Sequence, residues 1–311
     1  MSARAGGGLG PAEPRNGPGP DREASFGGAD LHFHSTASDG VESPESLAAL
    51  AAAAGLAVAV LTDHDAVHGV PAFVAAARGT GLVAAGGAEL SVDEAGQDVH
   101  LLGLFVDPDE PRLTERLAEL REVRERRAER MVERLAVLGI VLDLDRLRAE
   151  VGDAAFGRPH VARALVAAGA VASVEEAFER YLGDGAPAFV PKAKWSLGEA
   201  IASVRAAGGL AVLAHPVWYA DVPGLLRKGL GLGLDGVEVF HPDNEGRVEE
   251  LLAEADALGL LVSGGSDFHS PAYGCPVGGR RVGRPHWERL AEAAVARRRD
   301  AGRPALDLAP R

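Results

Sequence analysis

The chain has 311 residues, enough for one large α/β domain or two smaller ones, and its 47% hydrophobic and 25% charged content is that of an ordinary globular protein. A formal net charge of −13 excludes a broad grip on a nucleic-acid backbone and on an anionic membrane surface, although cations bound in one cleft can reverse the potential locally. The single cysteine, Cys275, excludes an internal disulfide and fits a reducing compartment; with no His-rich base motif beside it, it reads as a small buried hydrophobe.

Residues 1–28 are dense in Gly and Pro and lack an apolar signal core, so a disordered tail is expected there and the cytoplasm is the default location. "ADLHFHSTASDG", residues 29–40, then puts His32 and His34 on one face of a short strand, because side chains alternate with period two, and follows them with Asp39. Ser43, Pro44 and Glu45 read as a helix N-cap, an N1 proline and a first-turn acid. The apolar run from Leu47 to Leu61 is too short to span a bilayer and is divided by Gly55 into helix, turn and strand. That strand runs into "LTDHD", with His64 and Asp65, and the next two carry Glu89 in "GAELS" and His100 in "VHLLG".

Residues 108–190 break this rhythm with helical patterns only. The Arg-rich stretch 121–134 alternates with Glu and reads as a solvated helix face, and Ser173 with Glu176 reads as a capping box. In "GRPH", Arg158 and His160 stand at a helix start with Pro159 at N1. After the insertion come Lys192, Lys194 and Trp195, a capping box from Ser196 to Glu199, and strands ending in "LAHP" (His215), "GVEVFHPDN" (His241) and "GSDFH" (Asp267, His269).

Apolar strands interleaved with helices imply an α/β protein with a mostly parallel sheet buried on both faces, open or closed into a barrel, interrupted by a helical insertion. The boundaries are a tail at 1–28, a first barrel part at 29–107, the insertion at 108–190 and a second barrel part at 191–311. Polar residues cluster where strands end, the edge on which α/β active sites are built. His32, His34, Asp39, His64, Glu89, His100, His215, Asp267 and His269 would be costly to crowd onto one rim unless cations neutralised the carboxylates. Mixed imidazole and carboxylate donors suit Mn²⁺, Fe²⁺ or Zn²⁺ better than Mg²⁺ or Ca²⁺.

The series "DLHFHSTASDG", "LTDHD", "GAELS", "VHLLG", "LAHP" and "GSDFH" resembles, in order and over residues 29–270, the PHP (polymerase and histidinol phosphatase) phosphoesterases. Within them it is most similar to the bacterial members that remove the 3′-phosphate of 3′,5′-bisphosphonucleotides, some of which also trim RNA from its 5′ end. The resemblance implies a distorted (β/α)7 barrel with two to three divalent transition-metal ions at its mouth. It assigns one ion to His32, His34, Glu89 and Asp267, a second to Glu89, His100 and His215, and a third to Asp39, His64 and His269. Three such ions against three carboxylates would leave about +3 to meet a phosphate dianion.

The expected enzyme is thus a metal-dependent phosphatase using a metal-bridged hydroxide. Arg158, His160 and the weaker Lys192 are expected at the substrate's second phosphate. Asp65, behind the ligands, or His241, on the substrate side, would orient ligands or move a proton. Expected partners are a phosphorylated nucleotide and short RNA ends, with no membrane and no stable protein partner. The alternatives are a histidinol-phosphatase-like activity, a metal amidohydrolase, for which no strand-end Lys is present, and a non-catalytic metal-binding module, against which nine donors exceed a closed four-ligand site.

Overall fold

The structure is a computed structural model, and it describes residues 26–151, 157–191, 194–272 and 274–310. Seven strands follow one another around a barrel-shaped sheet: β1 (Ala29–Asp30), β2 (Val58–Leu61), β3 (Val83–Glu94), β4 (Gln97–Leu104), β6 (Leu210–Leu213), β7 (Gly236–Phe240) and β8 (Leu261–Gly264). The two-residue β5 (Trp195–Ser196) pairs with the outer end of β3. Leu31 N–H donates to Gly264 O (3.1 Å), Asp267 N–H to His32 O (2.8 Å) and His34 N–H to Phe268 O (2.9 Å), which brings the first strand against the last and nearly closes the sheet. Gly265 permits that approach, since a Cβ there would sit 2.4 Å from His32 Cβ.

The parallel expectation holds for β1–β2–β3 and β6–β7–β8 but not for β4, which runs antiparallel to both β3 and β6. The cause is local: Ala95 and Gly96, at φ of 53° and 86°, make a tight turn that no crossover helix interrupts. His100 therefore enters the barrel mouth from the beginning of its strand, paired with Ser91 two residues beyond Glu89.

Helix α1 (Pro44–Ala53) starts as its sequence dictates, with Ser43 Oγ accepting the Ser46 N–H, and it packs with α2 (Val70–Ala76) on Phe33, Leu61 and Phe73. The 27-residue α3 (Pro111–Val137), about 40 Å long, joins two cores. Leu113, Leu117 and Leu120 belong to the barrel's cluster, whereas Met131, Val132 and Leu135 pack with α4 (Leu144–Val151), α5 (Arg158–Ala167) and α6 (Val174–Ala177) in a cluster of their own. Ser173 Oγ accepts the Glu176 N–H, but Glu176 reaches back to the Ala172 N–H, one residue short of the expected reciprocal box. The box from Ser196 to Glu199 forms in full at α7 (Leu197–Ala206).

The tail expectation falls on residues 1–25 outside the described residues; Phe26 is buried in the barrel core with the Arg284 guanidinium over its ring. Cys275 is half-buried rather than buried, and burial pushes its thiol up, away from thiolate chemistry. Trp195 is a core residue beside Val92. Among the described residues no helix is long and apolar enough to cross a membrane.

Candidate metal centre and its cleft

All nine sequence-predicted ligands meet at the barrel mouth. Glu89, buried on β3, is the hub: its Oε2 lies 3.3 Å from His32 Nε2, 3.2 Å from His34 Nε2 and 3.0 Å from His64 Nδ1. Its Oε1 lies 2.7 Å from His100 Nδ1 and 3.0 Å from His215 Nε2. Asp267 Oδ1 closes one side at 3.2 Å from His32 Nε2 and 3.1 Å from His34 Nε2. On the other side Asp39 faces His269 Nε2 (3.4 Å), His64 Nε2 (3.9 Å) and His34 Nδ1 (3.9 Å).

His34 and His64 each present one ring nitrogen to Glu89 and the other to Asp39, so the donors form one continuous cage rather than three separate clusters. Four donors gather around His32, His34, Glu89 and Asp267, and four around His34, Asp39, His64 and His269. His100 and His215 meet at Glu89, where His64, Glu89 and His100 also form a group of three donors.

Backbone conformation aims these groups. Asp65, His215 and Asp267 have φ of 46°, 25° and 50°, values L-residues adopt only at a cost of roughly 1–3 kcal/mol each. Each stands just past the end of its strand, where a sharp reversal turns the chain at the mouth. Asp65 accepts from Ser91 N–H and Oγ–H (both 2.9 Å) while its own N–H donates to Glu89 O (2.9 Å), which locks β2 to β3 at the hub. Asp65 thus stands behind the strand that carries Glu89.

The centre fits divalent cations. His32 Nδ1 lies 2.9 Å from the buried carboxylate of Glu238, so that a proton held there leaves Nε2 facing the cage, the orientation of a metal-binding imidazole. Tyr219 Oη accepts the His100 backbone N–H (2.9 Å) and lies 3.3 Å from His215 Nδ1, which turns His215 Nε2 toward Glu89. His34 Nδ1 and His64 Nδ1 are buried without a hydrogen-bond partner, and His64 Nδ1 stays so despite lying 3.0 Å from Glu89 Oε2. A buried ring nitrogen that faces a carboxylate without hydrogen-bonding to it is what a cation between the two satisfies.

Electrostatics follow the same division. Burial opposes the charges on Glu89, Asp39 and Asp267, yet the surrounding imidazoles hold all three well below the usual carboxylate range. Burial likewise opposes a proton on His34, but the hydrogen-bonding carboxylates of Asp267 and Glu89 raise it to about 10, and His32 is raised as well. His64 goes the other way, to about 3, because its burial and the neighbouring imidazoles outweigh Glu89 and Asp39.

The cation-free cage thus holds a proton on the His32–His34 pair at neutral pH, and a metal must displace it. Loading should tighten as pH rises and weaken as it falls. Titrating Mn²⁺ or Zn²⁺ into chelator-stripped protein at pH 7 in weak buffer should release about one to two protons per chain. A titration that releases none would mean that the His32–His34 pair carries no displaceable proton at that pH.

A cavity of about 300 Å³ opens over the cage, between the barrel mouth and the helical segment. Asp39, His64, His100 and His215 form its floor, Arg127, Arg158, His160 and Phe178 come from the helices, and Trp218 stands at the side. Phe178 begins a π-helical turn, a distortion frequent at functional sites.

Arg158 is the first residue of α5, after Gly157, so Pro159 takes the second position rather than the first. Its guanidinium pairs with Asp184 (3.1 Å) and lies over Phe178 and Phe189. The His160 N–H is given to Gly157 O (3.1 Å) and the Gly157 N–H to His160 Nδ1 (3.2 Å), so neither is left for a substrate. Arg127 departs from the expected solvated face: it is only 6% exposed, with Nε donating to Val190 O (2.6 Å).

His241 does not line this cleft. It is buried, with Nε2 3.3 Å from Asp267 Oδ2 and Nδ1 accepting the Asp243 N–H, so it supports the cage instead of facing substrate. Lys192 lies outside the described residues, and Lys194 pairs with Asp98 at the cleft edge (3.0 Å).

Sequence reasoning missed Glu238, Tyr219, Arg127 and Trp218. Glu238 had a signal, a lone carboxylate inside the apolar "GVEVF", and its charge, kept by His32 and His241 against burial, adds to those of the three predicted carboxylate ligands. Arg127 was hidden among the arginines and glutamates that crowd residues 121–134.

The PHP domain family matches residues 30–136. The chain is 39% identical to a 5′-3′ exoribonuclease of Haemophilus influenzae over 78% of this chain and 90% of that protein. It is 38% identical to a 3′,5′-nucleoside bisphosphate phosphatase of Chromobacterium violaceum over 87% of this chain and 99% of that one. Among solved structures, one described as an amidohydrolase from Chromobacterium violaceum with bound sulfate superposes with a TM-score of 0.78 at 35% identity, covering 86% of this chain and 96% of that chain.

Proposed function

Because the chain belongs to the PHP family of metal-dependent phosphoesterases, we propose that its cage hydrolyses the 3′-phosphate of 3′,5′-bisphosphonucleotides such as adenosine 3′,5′-bisphosphate (pAp). One observation carries this reading. The single cleft has a metal-ligating floor and, across about 300 Å³, the arginines 127 and 158, so it offers two separate places for phosphate charge.

Two to three Mn²⁺, Fe²⁺ or Zn²⁺ ions would be held by His32, His34, Glu89 and Asp267, by Glu89, His100 and His215, and by Asp39, His64 and His269. Bound there, they supply charge neutralisation for the phosphoryl group and acidify water toward neutrality. The protein's own part is positional. Glu238 and Tyr219 fix the His32 and His215 rings, and Asp65 fixes the strand that carries Glu89. Arg158 and His160, with Arg127 beside them, orient the substrate through its 5′-phosphate while the helical segment 108–190 covers the cleft.

The 5′ end of short RNA is a second substrate of the same site, supported by the name of the Haemophilus influenzae relative. A carbamylated-lysine amidohydrolase is disfavoured, since among the described residues no lysine lies in the cage.

Phosphate release from pAp, 5′-AMP, histidinol phosphate and short 5′-phosphorylated RNA tests the reading, with pAp expected to give the highest kcat/KM. Arg158→Ala should raise KM for pAp about tenfold and KM for adenosine 3′-monophosphate far less, since only pAp carries the second phosphate. Histidinol phosphate as the best substrate would defeat the assignment.

A further inference from the structure

Trp218 is the one tryptophan of three that the core does not bury: Trp195 and Trp287 are almost wholly enclosed, whereas Trp218 is 54% exposed at the wall of the catalytic cleft. At the wall of a cleft, an exposed indole offers a planar apolar face that a bound ring can cover. It is also held in place. Its Nε1–H donates to Asp243 Oδ2 (2.9 Å), and its ring lies against the His215 imidazole at 4.0 Å between centroids and edge-on to His241 at 6.2 Å.

The two short 3₁₀ turns that carry these partners, Pro216–Trp218 and Pro242–Arg247, follow adjacent strands, so the Trp218–Asp243 bond ties neighbouring walls of the mouth together. The left-handed conformation of His215 starts the first turn and sends the chain back over the cage. A rigid aromatic plate therefore stands beside a metal-ligand candidate, at the edge of the cavity a phosphoester must enter.

We propose that Trp218 is the specificity platform of the site, stacking the nucleobase of the leaving nucleoside 5′-monophosphate; the inference rests on the bisphosphonucleotide reading and extends it from phosphate chemistry to base recognition. Every base has a π-face, so such a platform selects nucleotides over other phosphomonoesters without choosing among bases. Phosphate charge is met by the floor and the arginines, and Trp218 supplies what they lack, a contact for the uncharged, planar part of the substrate. Asp243 is a positioning residue that sets the angle of the indole.

The test compares pAp with ribose 3,5-bisphosphate, the same compound without its base, on metal-loaded full-length protein. The wild type should favour pAp by about tenfold in kcat/KM, ~1.4 kcal/mol. Trp218→Ala should erase that preference, with the change in KM rather than kcat, and Trp218→Phe should keep most of it. A loss in Trp218→Ala that falls equally on both compounds would mean that the indole only props His215, and would overturn the platform. A wild type that turns over both compounds equally well would overturn it while leaving the bisphosphate reading intact. A wild type inert toward both but active on another phosphomonoester would defeat the bisphosphate reading, and the platform with it.

Discussion

Glu89→Gln should lower kcat/KM for phosphate release by on the order of a thousandfold or more while the protein stays folded. Among the described residues no other side chain is shared so widely: one oxygen faces His32, His34 and His64 and the other faces His100 and His215. An amide of the same shape has no charge to offer two cations and turns an N–H₂ toward nitrogen donors that already converge. The loss should therefore appear in metal content as well as in rate. Phosphate-release kinetics, elemental analysis and circular dichroism on the same preparation check all three. Asp267→Asn provides a second variant from the opposite side of the cage, where the carboxylate meets His32, His34 and His241. Full activity with full metal content in Glu89→Gln would displace Glu89 from the centre.

Stripping the metals should abolish activity and lower the melting temperature. Without cations the carboxylates of Asp39, Glu89, Glu238 and Asp267 stay buried or nearly so at one mouth, compensated chiefly by imidazoles, with the His215 N–H on Glu238 and the Ser38 hydroxyl on Asp39. Adding Mn²⁺, Fe²⁺ or Zn²⁺ back should restore turnover where Ca²⁺ does not, because six of the nine donors are imidazoles. A ligand present at a hundred times its Kd stabilises the folded state by about 2.7 kcal/mol, so thermal scans should show a rise of about 5 °C on reloading. Preparations that remain active when elemental analysis finds them free of transition ions would refute the metal mechanism.

The legible part of the site was legible for a physical reason. His32, His34, His64, Glu89, His215, Asp267 and His269 interrupt or end apolar runs that would otherwise continue, and polar side chains tolerate such positions only with partners. The helix starts at Ser43 and Ser196 were readable because caps are contacts within one turn. His241 was misplaced, because its position in the sequence does not say that Asp243 and Asp267 would hold it beneath the cleft rather than in it.

The amino-acid sequence by itself determined which side chains are chemically suited to a metal centre, since residue type and strand alternation are local properties. Tertiary structure decided how they are shared: that β4 runs backwards to deliver His100, that Glu89 serves five imidazoles, that Glu238 stands behind His32, and that Arg127 and Trp218 face one cavity. Those outcomes depend on how the sheet curls and closes, bringing together positions as far apart as His32 and Asp267, and no window of sequence contains both partners.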